Sequence, residues 1–203
     1  MNHADTGRKK AQAVWIAHAL FDRGKTTGTT ANISFRHGDS IWISRSGACF
    51  GTLQKEDLVE TGPDGAPRRP DAGRPSKETP LHLALYDNDA AVQAVLHVHS
   101  PGAVLWSCLP QCTGRDVIPR YTPYLQMKLG SVAAVPYAPP GSPALFAQMR
   151  QALGPERGYL LCNHGSLVGG LNLMNAFEAA EELEQAAWLA FQLLGRPGCR
   201  IME

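Results

Sequence analysis

The sequence predicts one α/β domain in which helices pack on a mixed sheet, and three observations predict it. Short apolar runs of strand length recur at residues 91–97, 131–136 and 159–162. Segments with helical spacing alternate with them, the longest being 172–194. The chain of 203 residues, 44% hydrophobic and 18% charged, is long enough to bury a sizeable core. A formal net charge of +1 gives no electrostatic case for nucleic acid or an anionic membrane. No apolar run approaches the roughly 20 residues of a membrane span, and no signal-peptide pattern is visible. Five scattered cysteines, an odd number, read as reduced thiols of a cytoplasmic protein.

The elements follow in order. Residues 1–10 are polar and read as a loose segment, which leaves 11–203 as the single folded domain. Residues 11–23 have helical spacing, and Gly24 ends the helix. Residues 32–36 and 41–44 form a hairpin around His37-Gly38-Asp39. Residues 61–75, rich in Gly, Pro, Asp and Arg, are a loop. Ser76 reads as the cap of a helix reaching Asp87, with Pro80 in its first turn. After the strand at 91–97 comes a helix from Pro101 to Cys108. The strand at 131–136, the turn Pro139-Pro140-Gly141 and a helix capped by Ser142 follow. Strands at 159–162 and 166–168 flank Asn163-His164-Gly165, and the Glu-rich helix from Asn172 to Leu194 closes the chain, its Glu face solvated.

The chemistry concentrates at strand ends. In His97-Val98-His99, residues two apart point to one side, so both imidazoles aim at one spot while Leu96 and Val98 face the core. His164 offers a third imidazole from another strand end. Three histidines on strand termini suit a catalytic divalent cation with an open coordination position. Cys108 and Cys112 could join His97 and His99 in a structural zinc site, but C-x3-C with H-x-H is not a common spacing for one, and small buried side chains are the simpler reading. Ser76 and Lys77 place a hydroxyl and a cation beside exposed helix N–H groups, the ingredients of an anion site, with Glu78 next to them. Residues 26–32 and 44–47 are further loops rich in anion-binding groups, each equally readable as a plain polar turn, and neither is a Walker A loop. His18, His37 and His82 read as structural, His82 lying one helical turn from Glu78 and hydrogen-bonding it.

Ser76-Lys77-Glu78-Thr79 with Leu81-His82 and Tyr86, then His97-Val98-His99-Ser100, then Asn163-His164-Gly165, then the Glu-rich helix, together resemble the class II aldolase/adducin family. The order and spacing match from about Ala11 to Leu194. Thr122-Pro123-Tyr124-Leu125-Gln126-Met127, Val135-Pro136-Tyr137 and Pro140-Gly141 most resemble its branch that decarboxylates 3-oxo-tetronate 4-phosphates.

The resemblance implies a three-layer α/β/α sandwich around a largely antiparallel sheet. It implies one Zn2+ per subunit held by His97, His99 and His164, with Mn2+, Co2+ and Fe2+ as alternatives, and Glu78 as acid/base and resting metal contact. It places substrate phosphate at Asn32, Ser46, Gly47, Ser76 and Lys77, and Tyr124 near the active site. It further implies a homotetramer with active sites at subunit interfaces, and an enediolate made or consumed beside the metal. The branch reaction would yield dihydroxyacetone phosphate and CO2. A sugar-phosphate aldolase of the fuculose-phosphate type, or an epimerase or dehydratase, would share that intermediate. A non-catalytic adducin-like scaffold would lack the metal ligands present here. Two positions depart from the family, Ala31 where Gly is usual and Arg45 where Pro is common. A positive φ at Ala31 would cost on the order of 1 kcal/mol.

Overall fold

A computed structural model describes residues 3–202. Seven strands form one sheet: β1 (Asn32–His37), β2 (Ser40–Ser44), β3 (Leu58–Thr61), β4 (Ala94–Val98), β5 (Val132–Val135), β6 (Gly158–Leu161) and β7 (Gly165–Gly170). Their order is β3-β2-β1-β4-β7-β6-β5, antiparallel throughout except for the β5–β6 pair. Six α-helices accompany it: α1 (His3–Asp22), α2 (Thr79–Asn88), α3 (Pro101–Ser107), α4 (Tyr124–Leu129), α5 (Pro143–Ala152) and α6 (Leu173–Leu193).

The strand periodicity builds two cores, one on each face of the sheet. Leu96 and Val98 of β4 join Ile33, Phe35 and Val168 beneath α1, α3, α4 and α6. Val95 joins Leu161 and Leu167 beneath α2 and α5. The architecture is therefore the expected three-layer sandwich, with β4 covered on both faces and buried along its whole length.

Several boundaries differ from the sequence reading. The first helix starts at His3 rather than Ala11, so the described part of the predicted loose segment is helical. Residues 1 and 2 of that segment lie outside the described residues. Asp5 pairs with Arg8 and lies 3.9 Å from Lys9, at helical i,i+3 and i,i+4 spacing. Lys9 Nζ donates to the Arg36 carbonyl at 3.1 Å, and Lys10 lies 3.7 Å above the Trp42 ring. Polarity here decorates a helix that is tied to the sheet. The edge strand β3 and the short helix α4 were not foreseen, nor were two 3-10 turns at Phe50–Thr52 and Lys55–Asp57. Helix α2 begins at Thr79, three residues after the predicted cap, so Ser76, Lys77 and Glu78 lie in the approach to the helix. Among the described residues, no helix is long and apolar enough to cross a membrane.

Candidate metal and anion site

His97 stands in β4 and His99 just beyond its end; His164 sits in the turn between β6 and β7. Antiparallel pairing of β4 with β7, which sets Val98 opposite Ser166, brings the three together. Gly165 allows the close approach: a Cβ there would fall 2.6 Å from the Val98 carbonyl oxygen and 2.9 Å from the His99 ring. Asn163 holds the turn in the left-handed region at φ 55°, which asparagine tolerates better than most residues. The rings meet edge to face with centroids 4.6 to 4.9 Å apart, and one nitrogen from each lies within 4.8 Å of the others.

The donor set fits a divalent cation. Burial pushes His97 and His164 down to about 3 and also lowers His99, so all three rings are neutral near pH 7 and carry a free lone pair. His97 Nδ1 donates to the Ser166 carbonyl at 2.9 Å, which turns the Nε2 lone pair into the site. His97 Nε2 and His99 Nε2 are 2.9 Å apart. Both His164 nitrogens and Glu78 Oε1 are buried without hydrogen-bond partners. Such atoms are costly to leave unpaired, and a cation would satisfy Glu78 Oε1 and one His164 nitrogen together. Glu78 completes the group, with Oε2 3.3 Å from His97 Nε2 and Oε1 3.6 Å from His164 Nε2.

A cleft of about 440 Å³ opens beside this group. Each of the five residues expected at the phosphate, Asn32, Ser46, Gly47, Ser76 and Lys77, lines it, together with Glu78, His99 and His164. Backbone bonds stitch two of its walls together: Ser46 N–H donates to the Arg74 carbonyl at 2.9 Å, and Ser76 N–H to the Ser44 carbonyl at 3.1 Å. The Lys77 stem lies over Gly141, where a Cβ would meet it at 2.8 Å. Thr29, Thr30 and Arg45, from the two loops noted for their anion-binding groups, line the cleft too, as does Pro140.

The structure corrects the sequence reading at His82 and Glu184 and adds to it at Asn32, Ala31 and Tyr124. Asn32 lines the cleft, but its side chain is engaged elsewhere: Nδ2 donates to Glu78 Oε2 at 3.1 Å and Oδ1 faces His82 Nε2 at 2.5 Å. His82 therefore meets Asn32 rather than Glu78. Ala31 is not among the positive-φ residues; the left-handed residue of its loop is Gly28, at φ 56°, so the missing glycine costs no strain. Glu184 leaves the solvated face of α6: it is 2% exposed and accepts from the N–H groups of Gly102 and Ala103 at 3.0 and 2.8 Å. Tyr124, at the start of α4, is 57% exposed and does not line the cleft of its own chain.

Sequence reasoning also missed the environment of His82. Glu78, His82 and Tyr86 recur every four residues, so they share one helical face, and that spacing was the available signal.

Three imidazoles gathered at strand ends in mid-sheet, a carboxylate and a polar cleft beside them define a metal-dependent lyase of the class II aldolase type. The chain belongs to that family: residues 11–191 match the model of the Class II Aldolase and Adducin N-terminal domain. An Escherichia coli (strain K12) protein named 3-oxo-tetronate 4-phosphate decarboxylase is 37% identical over 183 residues, covering 90% of this chain and 85% of that protein. An L-fuculose phosphate aldolase of Methanococcus maripaludis (strain C7) is 30% identical, covering 87% and 92%. Among solved structures, YgbL of Klebsiella pneumoniae, a candidate aldolase/epimerase/decarboxylase, superposes with a TM-score of 0.91 at 32% identity, covering 98% of this chain and 95% of that one.

Proposed function

We propose that the protein decarboxylates a 3-oxo-tetronate 4-phosphate to dihydroxyacetone phosphate and CO2. The observation that carries this is the position of Glu78, between two of three clustered imidazoles and on the wall of a cleft lined by Lys77, Ser76, Ser46 and Gly47. The similarity to the Escherichia coli decarboxylase supports the substrate.

His97, His99 and His164 would hold one Zn2+ per subunit, with Glu78 in reach of it at rest. When bound, the cation supplies Lewis acidity toward a substrate carbonyl oxygen. Lys77, Ser76, Ser46 and Gly47 bind the phosphate, which sets the distance from phosphate to reacting carbon. Cleavage of the bond between C1 and C2 releases CO2 and leaves its electron pair in an enediolate over C2 and C3. Glu78 delivers a proton to C2, which gives the hydroxymethyl ketone of dihydroxyacetone phosphate.

Residues 11–203 act as one catalytic domain of a cytoplasmic enzyme. A homotetramer accounts for Tyr124: exposed and outside its own cleft, it would reach the cleft of a neighbouring subunit.

A coupled assay on zinc-loaded protein tests the reading by following dihydroxyacetone phosphate and CO2 from 3-oxo-tetronate 4-phosphate. Chelator-sensitive release of both is expected. Metal-loaded protein that releases neither overturns it. A second reading, a sugar-phosphate aldolase, is favoured by the similarity to the Methanococcus aldolase and differs only in the carbon–carbon bond broken.

A further inference from the structure

A buried chain of hydrogen bonds runs from the layer of α2 into the site. Tyr86 OH lies 2.8 Å from Ser34 Oγ, and Ser34 Oγ lies 2.7 Å from His82 Nδ1. His82 Nε2 lies 2.5 Å from Asn32 Oδ1, and Asn32 Nδ2 donates to Glu78 Oε2 at 3.1 Å. All five side chains are at most 5% exposed.

The direction of each bond follows from the one before it. Among the described residues, Ser34 Oγ is the hydrogen-bond partner of the Tyr86 hydroxyl, and with Tyr86 as the donor neither hydroxyl hydrogen is left unpaired. Ser34 then has its own hydrogen free for His82, and Nδ1 accepts it. That puts the proton of the neutral imidazole on Nε2, which donates to Asn32 Oδ1. The Asn32 amide is thereby prevented from turning over, and its NH2 end faces Glu78 Oε2. An inverted amide would set Oδ1 against a carboxylate oxygen and push it away. With Oε2 tethered, Oε1 is left unpaired beside His164 and the cleft.

We propose that His82 is a positioning residue for Glu78, acting through the Asn32 amide so that one carboxylate oxygen is tethered and the other is presented to the reacting carbon. This rests on the reading of Glu78 as the proton donor. It assigns a task to a histidine that touches neither the metal ligands' shared centre nor the substrate cleft. It also explains the polar residues on one face of α2: His82 and Tyr86 continue at four-residue spacing from Glu78, just before the helix.

The test compares metal-loaded wild type with His82→Leu and His82→Gln. The glutamine NH2 can still donate to Asn32 Oδ1, whereas leucine cannot. His82→Leu is expected to lower kcat by about 10- to 100-fold, the usual range for a supporting residue, with KM and bound metal unchanged. His82→Gln is expected to recover most of that loss. Equal kcat in His82→Leu and wild type overturns the proposal, as does a His82→Gln as slow as His82→Leu, or a fall in kcat that tracks lost metal. If wild type does not decarboxylate the substrate, the substrate reading fails. The same comparison is then read from exchange of a carbon-bound hydrogen of dihydroxyacetone phosphate with deuterated water, a step common to decarboxylation and aldol cleavage. If His82→Leu does not fold, or exchange is absent, 15N spectra of the wild-type imidazole decide: an Nε2–H tautomer is expected, and an Nδ1–H tautomer overturns the proposal.

Discussion

The two sides of the site are built differently. On the metal side, His97 lies in a strand paired on both edges, and His164 is locked into a turn between two strands. Each is at most 7% exposed. On the anion side, the residues come from the loop before β1 with the first residue of that strand, the loop after β2 and the approach to α2. Gly47 and Lys77 face solvent or the open cleft, and the walls are joined by a few backbone bonds. Buried strand ends hold imidazoles to a narrow geometry, which a cation demands. Loops can be reshaped without disturbing the sheet, so substrate choice can change while the chemistry stays.

The largest effect should come from breaking the metal side. His99→Ala is expected to lose bound metal and turnover together, measured by elemental analysis beside the activity assay. Stoichiometric metal in that variant would sink the ligand assignment. Glu78→Gln should separate chemistry from binding: metal is retained while kcat falls about 10²- to 10⁴-fold, the range for a lost general acid. Full turnover with metal bound would remove Glu78 from its role.

Perturbing the anion side should act on KM instead. Lys77→Met removes a charge-assisted hydrogen bond worth about 1.5–3 kcal/mol, so kcat/KM for the phosphorylated substrate should drop about 10- to 100-fold, mostly through KM. An unchanged KM would move the phosphate elsewhere. The smallest effect concerns the scaffold behind the metal side. Glu184 accepts the N–H groups of Gly102 and Ala103, just after His99 and Ser100. Glu184→Gln should cost about 1 kcal/mol in urea unfolding and leave metal stoichiometry intact. Unchanged stability would show that the carboxylate does not anchor this segment.

Legibility divided along the same line. The metal side was readable because strand periodicity alone sends His97 and His99 the same way and Leu96 and Val98 the other. The five anion-side residues were placed by resemblance, and they do share one cleft. The partners of the Asn32 amide, Glu78 and His82, were not legible because they lie 46 and 50 residues away in the chain. The helical start at His3 was missed because a polar run looks loose until its ion pairs and its contacts with Arg36 and Trp42 are seen. Glu184 looked like one more solvated acid, since the helix end it satisfies comes from a distant segment.

By itself, the sequence determined the fold class and the strand end at which two of the three imidazoles lie. These depend on local periodicity, which is set by backbone geometry within a few residues. Only the tertiary structure decided which polar groups pair: Asn32 with Glu78, His82 with Asn32, Glu184 with α3. Hydrogen bonds need donor and acceptor within about 3 Å, and across 46 to 82 residues of chain that distance is settled by how the layers pack.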